Sequence, residues 1–148
     1  MNIYIVGIAG KMTAPLAVEL KNLGHQVSGS DQSLIYPPIS TLLKKNKIPV
    51  NKSLISSKID LAIIGSSYKK FSNTRKDYQD ILKLNIPHTS ATKYIAQNIV
   101  KPNSIIVAGS FGKTTITGLL SLILKNSDLN PSYLIGDVVL NKIPSLKI

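Results

Sequence analysis

The chain has 148 residues, 43% of them apolar, with no Cys or Trp; that allows one domain, or one domain and the opening of a second, around a buried core. Without Cys there is no disulfide scaffold, thiolate metal site or cysteine nucleophile, and no apolar run approaches the about 20 residues needed to cross a bilayer. The net charge of +11 (18 Lys+Arg against 7 Asp+Glu) is scattered Lys apart from Arg75, with 5% aromatics, so it reads as solubility and anion steering and not as nucleic-acid binding, which favours Arg and stacking rings.

Short apolar runs alternate with segments of helical spacing. Met1-Asn2-Ile3-Tyr4 enters a strand at once, with no basic leader, so a cytoplasmic location is expected. Ile3 to Val6 reads as a strand buried on both faces. Leu16, Ala17, Leu20 and Leu23 predict a helix over 13–23, with Pro15 in its first turn and Gly24 closing it. A strand at 26–30, a loop through Tyr36-Pro37-Pro38, a short helix near Ile39 to Leu43 and an extended piece at 48–50 follow. Residues 59–64 form the next strand, stopped by Gly65-Ser66-Ser67. A helix over 73–84 should turn Tyr78, Ile81, Leu82 and Leu84 to the core. An extended link at 86–89 and a helix over 90–98 lead to Lys101-Pro102-Asn103, the best domain boundary. Beyond it, Ser104 to Ala108 reads as a strand and 113–126 as a helix with Ile116, Leu119, Leu120, Ile123 and Leu124 on its apolar face. Strand–helix alternation predicts an α/β fold with a doubly wound parallel sheet.

Two strand–turn–helix junctions carry the chemistry. In the later one, Gly109-Ser110-Phe111-Gly112-Lys113-Thr114-Thr115, backbone N–H groups and the positive end of a helix dipole converge on one point. Lys113 would set its ammonium on the β- and γ-phosphates of a nucleoside triphosphate, and Thr114 would offer its hydroxyl to Mg²⁺. Val107 stands where the strict P-loop pattern has Gly, so this is the shorter G-x-x-G-K-T-T form. The earlier junction, Gly7-Ile8-Ala9-Gly10-Lys11-Met12, is similar to the dinucleotide fingerprint, but Ala9 and Met12 occupy two of its glycine positions.

Asp31 closes the second strand about where such folds grip a ribose hydroxyl, the alternative being a turn cap. Ser66 and Ser67 end another strand at the edge where open α/β sheets bind ligands, and a plain turn is an equal reading. Tyr36 either belongs to a rigid turn or packs on a base, and His25 and His88 lack partners at metal or base spacing. Together the junctions suggest a nucleotide diphosphate early in the chain and a triphosphate later, which disfavours a nicotinamide-dependent oxidoreductase.

With both loops placed, the chain resembles the Mur ligases, the ATP-dependent amide-forming enzymes of peptidoglycan assembly, over essentially its whole length. The resemblance is carried by Val6-Gly7-Ile8-Ala9-Gly10 with Met12 and Leu16-Ala17, by Gly29-Ser30-Asp31, and by Ala108 to Thr115. The run from Gly29-Ser30-Asp31 on to Tyr36 to Leu43 looks most like the branch joining UDP-N-acetylmuramate to L-alanyl-γ-D-glutamyl-meso-diaminopimelate. The branch that adds L-alanine is less similar at Tyr36 to Thr41.

The resemblance implies a Rossmann-like UDP-sugar-binding domain over 1–100, followed over 101–148 by the beginning of a P-loop ATPase domain. Gly7, Ala9, Gly10 and Met12 would line the diphosphate, Ser30 and Asp31 would reach the uridine, and Ser66 and Ser67 would be edge contacts. Gly109, Ser110, Gly112, Lys113, Thr114 and Thr115 would cradle ATP, with Lys113 and Thr114 catalytic and Thr114 at Mg²⁺. The implied reaction phosphorylates the muramate carboxylate, and a peptide or amino-acid amine attacks the acyl phosphate. Departures from the family pattern are Phe111 in place of a usual His, a first loop one residue shorter, and Asp137 after Gly136 where a second Gly is common. The family's metal-binding acid, adenine contacts and amine-docking domain would follow Ile148, so these residues are expected to bind nucleotides without turnover, as a portion of a longer ligase. The rival from another class is a non-catalytic nucleotide-binding module.

Overall fold

The computed structural model describes residues 1–32, 34–52, 54, 58–136 and 146–147; Asp137 lies outside them. Strand β1 (Asn2–Val6) buries Ile3, Tyr4, Ile5 and Val6, because helices cover the sheet on both sides. Around it β2 (Gln26–Ser30), β3 (Val50–Asn51), β4 (Leu61–Ile64) and β5 (His88–Ser90) form one parallel sheet in the order β3-β2-β1-β4-β5. Parallel neighbours need crossovers, and these run through α1 (Thr13–Asn22), α2 (Ile39–Lys45) and α3 (Ser72–Lys83); α4 (Ala91–Asn98) follows β5. Side-chain alternation along β1 divides the core. Ile3 and Ile5 pack with Leu16, Leu20, Ile63 and Ile95, while Tyr4 and Val6 pack with Ala62, Ile64 and Ile81. The expected doubly wound sheet is present.

Local signals set the element ends. Pro15 is the third residue of α1, in the first turn, where its missing N–H deprives the helix of no bond. Gly24, at φ +87°, donates its N–H to Lys21 O and ends that helix. Lys21 also reaches across to α2 and donates through Nζ to Asn46 O and Lys47 O at 2.7 and 2.8 Å. A cation there complements the negative end of the α2 dipole.

Helix α3 corrects one expectation. Its buried face is Thr74, Asp77 and Ile81, while Leu82 and Leu84 are exposed. The polar pair is buried because it is bonded: Thr74 Oγ1 donates to Tyr68 O at 2.8 Å, and Asp77 accepts from Tyr4 Oη at 3.1 Å and Leu54 N at 2.8 Å. Burial, reinforced by the Asp77 charge, pushes the Tyr4 phenol pKa well above the usual tyrosine range.

A second correction concerns 104–108, which forms no strand. Ile105 and Ile106 are 70% and 82% exposed. A strand of this composition is stable when a ladder and two covering layers take up its backbone and side chains, and none of the described residues pairs with it. Helix α5 (Lys113–Asn126) forms over the expected range, yet Ile116, Leu119 and Ile123 of its apolar face are exposed, and the buried residue is Ser121. The sequence did not suggest the antiparallel pair β6 (Tyr133–Leu134) and β7 (Leu146–Lys147). Leu146 joins the core on the α1 side of the main sheet. No helix among the described residues is long and apolar enough to cross a membrane.

Candidate functional site

The strand order places the site. The chain builds β2 and β3 on one side of β1, then returns to build β4 and β5 on the other, so the order reverses between β1 and β4. Open α/β sheets bind ligands outside the carboxyl ends of the strands at such a reversal. The loop after β1 (7–12) and a 3-10 turn after β4 (Ser66–Lys69) meet there. A Cβ on Gly7, which sits at φ +76°, would lie 3.1 Å from Ser67 Oγ.

The first loop is bonded on every side. Gly7 N and Ile8 N donate to Ser30 O at 2.8 and 3.0 Å, and Ala9 N donates to Asp31 Oδ2 at 2.6 Å. Asp31 Oδ1 accepts from Gln32 N at 2.8 Å, and the Asn73 amide donates to Asp31 O. Thr13 Oγ1 donates to Gly7 O at 2.7 Å and accepts from Gly10 N at 3.1 Å. Asp31 is therefore a loop clamp, close to the cap alternative, whatever else its oxygens touch. Ser30 is fully buried and serves the loop through its carbonyl. Gly29 is required beneath them: a Cβ there would fall 2.2 Å from Ile5 O and 2.9 Å from the Ile8 side chain.

Cavities open on either side of this loop. One, of about 430 Å³, lies beyond β2 and β3 and is lined by Asp31, Leu34, Ile35, Lys44, Val50 and Lys52 among others. Tyr36 is exposed and does not line it. The other, of about 280 Å³, lies beyond β4 and β5, with Met12 and Ser66 on its wall. Gly7, Ala9, Gly10, Met12, Asp31, Ser66 and Ser67 are thus brought to one end of the sheet. Sequence reasoning missed Thr13 and Asn73 as loop anchors, and Lys44 and Lys52 as cavity cations. Thr13 alone carried a signal, a hydroxyl at the start of a helix just after a glycine turn.

The second loop stands apart. Gly112 caps α5 in the left-handed conformation (φ +77°), a shape suited to Gly, and the helix begins at Lys113. The N–H groups of that first turn have no acceptors within the helix. Lys113 Nζ folds back to donate to Gly109 O and to Ser110 O, the latter at 3.1 Å. Gly109, Ser110, Phe111, Thr114 and Thr115 are exposed, Phe111 at 94%. Its supports are local, unlike those of the first loop. Among the described residues no group of three or more His, Cys, Asp or Glu could hold a metal ion.

Residues 2–100, running from β1 to just past α4, match the family model described as Mur ligase family, catalytic domain. The chain belongs to the Mur ligase family. This Mur ligase chain is 34% identical over 143 residues to the UDP-N-acetylmuramate–L-alanyl-γ-D-glutamyl-meso-2,6-diaminoheptandioate ligase of Escherichia coli (strain K12), covering 93% of itself and 30% of that protein. It is 37% identical over 139 residues to the UDP-N-acetylmuramate–L-alanine ligase of Wigglesworthia glossinidia brevipalpis, covering 91% of itself and 28% of that protein. The solved UDP-N-acetylmuramate:L-alanyl-γ-D-glutamyl-meso-diaminopimelate ligase from Neisseria meningitides superposes with a TM-score of 0.82 at 32% identity, over 98% of this chain and 45% of that one. The Mur ligase chain therefore spans about 30% of the length of the curated relatives it matches.

Proposed function

We propose that residues 1–100 bind UDP-N-acetylmuramate at the sheet reversal. In the same reading, residues 101–148 begin the ATP-binding domain of a cytoplasmic ligase that joins the sugar's carboxylate to L-alanyl-γ-D-glutamyl-meso-diaminopimelate. The observation that carries this reading is the convergence of the Gly7–Met12 loop, Asp31 and Ser66–Ser67 at the carboxyl end of one parallel sheet. A diphosphate would lie at the Gly7–Met12 loop, and the cavity beside Asp31 suits a nucleoside, with Lys44 and Lys52 supplying positive charge towards an anion.

The second loop fits a nucleoside triphosphate. The start of α5 offers unused N–H donors, and Lys113 Nζ needs only to leave two loop carbonyls to reach a phosphate. Gly109, Ser110 and Gly112 would wrap the phosphates, Thr115 would contribute its N–H, and Thr114 would offer a hydroxyl to Mg²⁺. ATP with Mg²⁺ supplies the phosphoryl group that activates the carboxylate for attack by the amine. Lys113 offsets charge on the transferred group.

The tripeptide reading rests on Gly29-Ser30-Asp31 and the stretch from Tyr36 to Leu43. Ligation to L-alanine is the second reading, favoured by the 37% identity to the Wigglesworthia enzyme. Calorimetric titration tests the proposal: the chain should bind UDP-N-acetylmuramate and ATP independently, and should not bind NAD. NAD binding as tight as that of the UDP-sugar would overturn it.

A further inference from the structure

The two cavities flanking the first loop differ in charge: the one beside Asp31 carries that acid with Lys44 and Lys52, while the one beyond β4 and β5 has no Asp, Glu, Lys or Arg on its wall. A charged cavity recognises a ligand only as well as its walls are held in place. Asp31 and Gln32, just after β2, stand on one wall, and Val50, Asn51 and Lys52 on the other. The second wall has a weak hold of its own, because β3 is two residues long and lies at the edge of the sheet. Both walls are tied to α3, which contributes no residue to either. Asn73, in the first turn of that helix, donates its side-chain amide to Asp31 O. Asp77, one turn on and on the same face, accepts at 2.8 Å from the N–H of Leu54, two positions after Lys52. Asp77 is fully buried, and these partners, the Leu54 N–H and the Tyr4 phenol, are neutral. A carboxylate is costly to keep in such a place, and an apolar side chain of similar size would fill it at less cost. Packing therefore does not account for an acid at this position, whereas a fixed acceptor for Leu54 N–H does.

We propose that α3 is the positioning element of the cavity beside Asp31: Asn73 and Asp77, one helical turn apart and away from the ligand, lock the Asp31 wall and the Lys52 wall to one helix, so that a uridine nucleotide meets a pocket already spaced to receive it. The inference rests on the UDP reading above and adds the residues that set the pocket's width. The helix is itself anchored, with Thr74 Oγ1 bonded to Tyr68 O and Ile81 packed in the core with Tyr4 and Val6. A bond from a buried carboxylate to a backbone N–H is stronger than one between neutral groups. Losing either tie frees one wall to move against the other, and the nucleotide must then order it on binding.

Calorimetry of the 148-residue chain with UDP tests this, each variant being titrated well below its melting temperature. Asn73→Ala and Asp77→Leu should each weaken UDP binding about 5- to 10-fold, the worth of one hydrogen bond felt through the pocket. Asp77→Asn keeps an oxygen for Leu54 N–H and should hold UDP affinity within about 2-fold of the unmodified chain. Ile81→Val, one turn further along the same buried face, should lower the melting temperature and also leave UDP affinity within about 2-fold. Unchanged UDP affinity in Asn73→Ala would overturn the inference even if Asp77→Leu failed to fold, and unchanged affinity in a folded Asp77→Leu would do the same. So would a loss in Ile81→Val or Asp77→Asn equal to that in Asp77→Leu. In each of these cases the unmodified chain still binds UDP, and the nucleotide site stands. Failure of the unmodified chain to bind UDP would overturn the nucleotide reading and this inference with it.

Discussion

Two glycine loops with the same local grammar have different physical status. Gly7–Met12 is fixed by the Ser30 carbonyl and the Asp31 carboxylate, brought to it by the parallel sheet, and by the Thr13 hydroxyl at the start of α1. Gly109–Thr115 is held by its own helix and by the Lys113 ammonium on its own carbonyls, next to an apolar run left in solvent. A glycine turn before a helix encodes the shape of an anion cradle. Whether the cradle is rigid depends on what surrounds it.

The comparison breaks most easily in the sheet. Gly29→Ala should cost about 3 kcal/mol or more, because its Cβ meets the Ile5 carbonyl at 2.2 Å. Ile63→Ala, in the core on the α1 side, should cost about 2–5 kcal/mol in urea unfolding. Asp31→Ala should cost about 1–3 kcal/mol, since Ala9 N–H loses its acceptor, and should weaken UDP-N-acetylmuramate binding at the same time. Stability and binding that survive this change intact would show that the first loop needs no clamp.

Alkaline pH sharpens the same contrast. The folded Tyr4 pKa lies above its unfolded value of about 10. Its contribution is thus complete below about pH 10 and is lost as pH rises further, because unfolding releases the phenolic proton. Unfolding followed between pH 8 and 11 should show stability falling at the alkaline end, with a smaller fall in Tyr4→Phe. The smallest effects belong to the second loop. Ile106→Ala and Lys113→Ala should each change stability by no more than about 0.5 kcal/mol, while Lys113→Ala should weaken ATP binding at least about 10-fold, the effect of losing a charge-assisted bond. Equal loss of UDP-sugar affinity in Lys113→Ala would overturn the division into two sites.

Much of the fold was legible because strands buried on both faces are continuous apolar runs and helix ends carry local signs. Ile3 to Val6, Pro15 near the start of α1 and Gly24 at its end needed no knowledge of the rest of the chain. Thr74 and Asp77 were illegible: they read as a solvent face until Tyr68 O, Tyr4 and Leu54 N supplied partners. Ser104 to Ala108 failed in the opposite sense. Its composition asks for a ladder, and the described residues provide none. For the site, glycine spacing and Asp31 were visible and Thr13 left a local sign, while Asn73 was not, since its bond to the Asp31 carbonyl joins residues 42 positions apart.

Residue order alone determined the helices, the parallel strands of the main sheet and the two glycine cradles, because backbone torsion and side-chain periodicity act over a few neighbours. Folding decided that β1 lies beside β4, that Asp31 clamps Ala9, and that one cavity is charged and the other neutral. Those features join residues more than 20 positions apart, and only the packed sheet brings such residues within bonding distance.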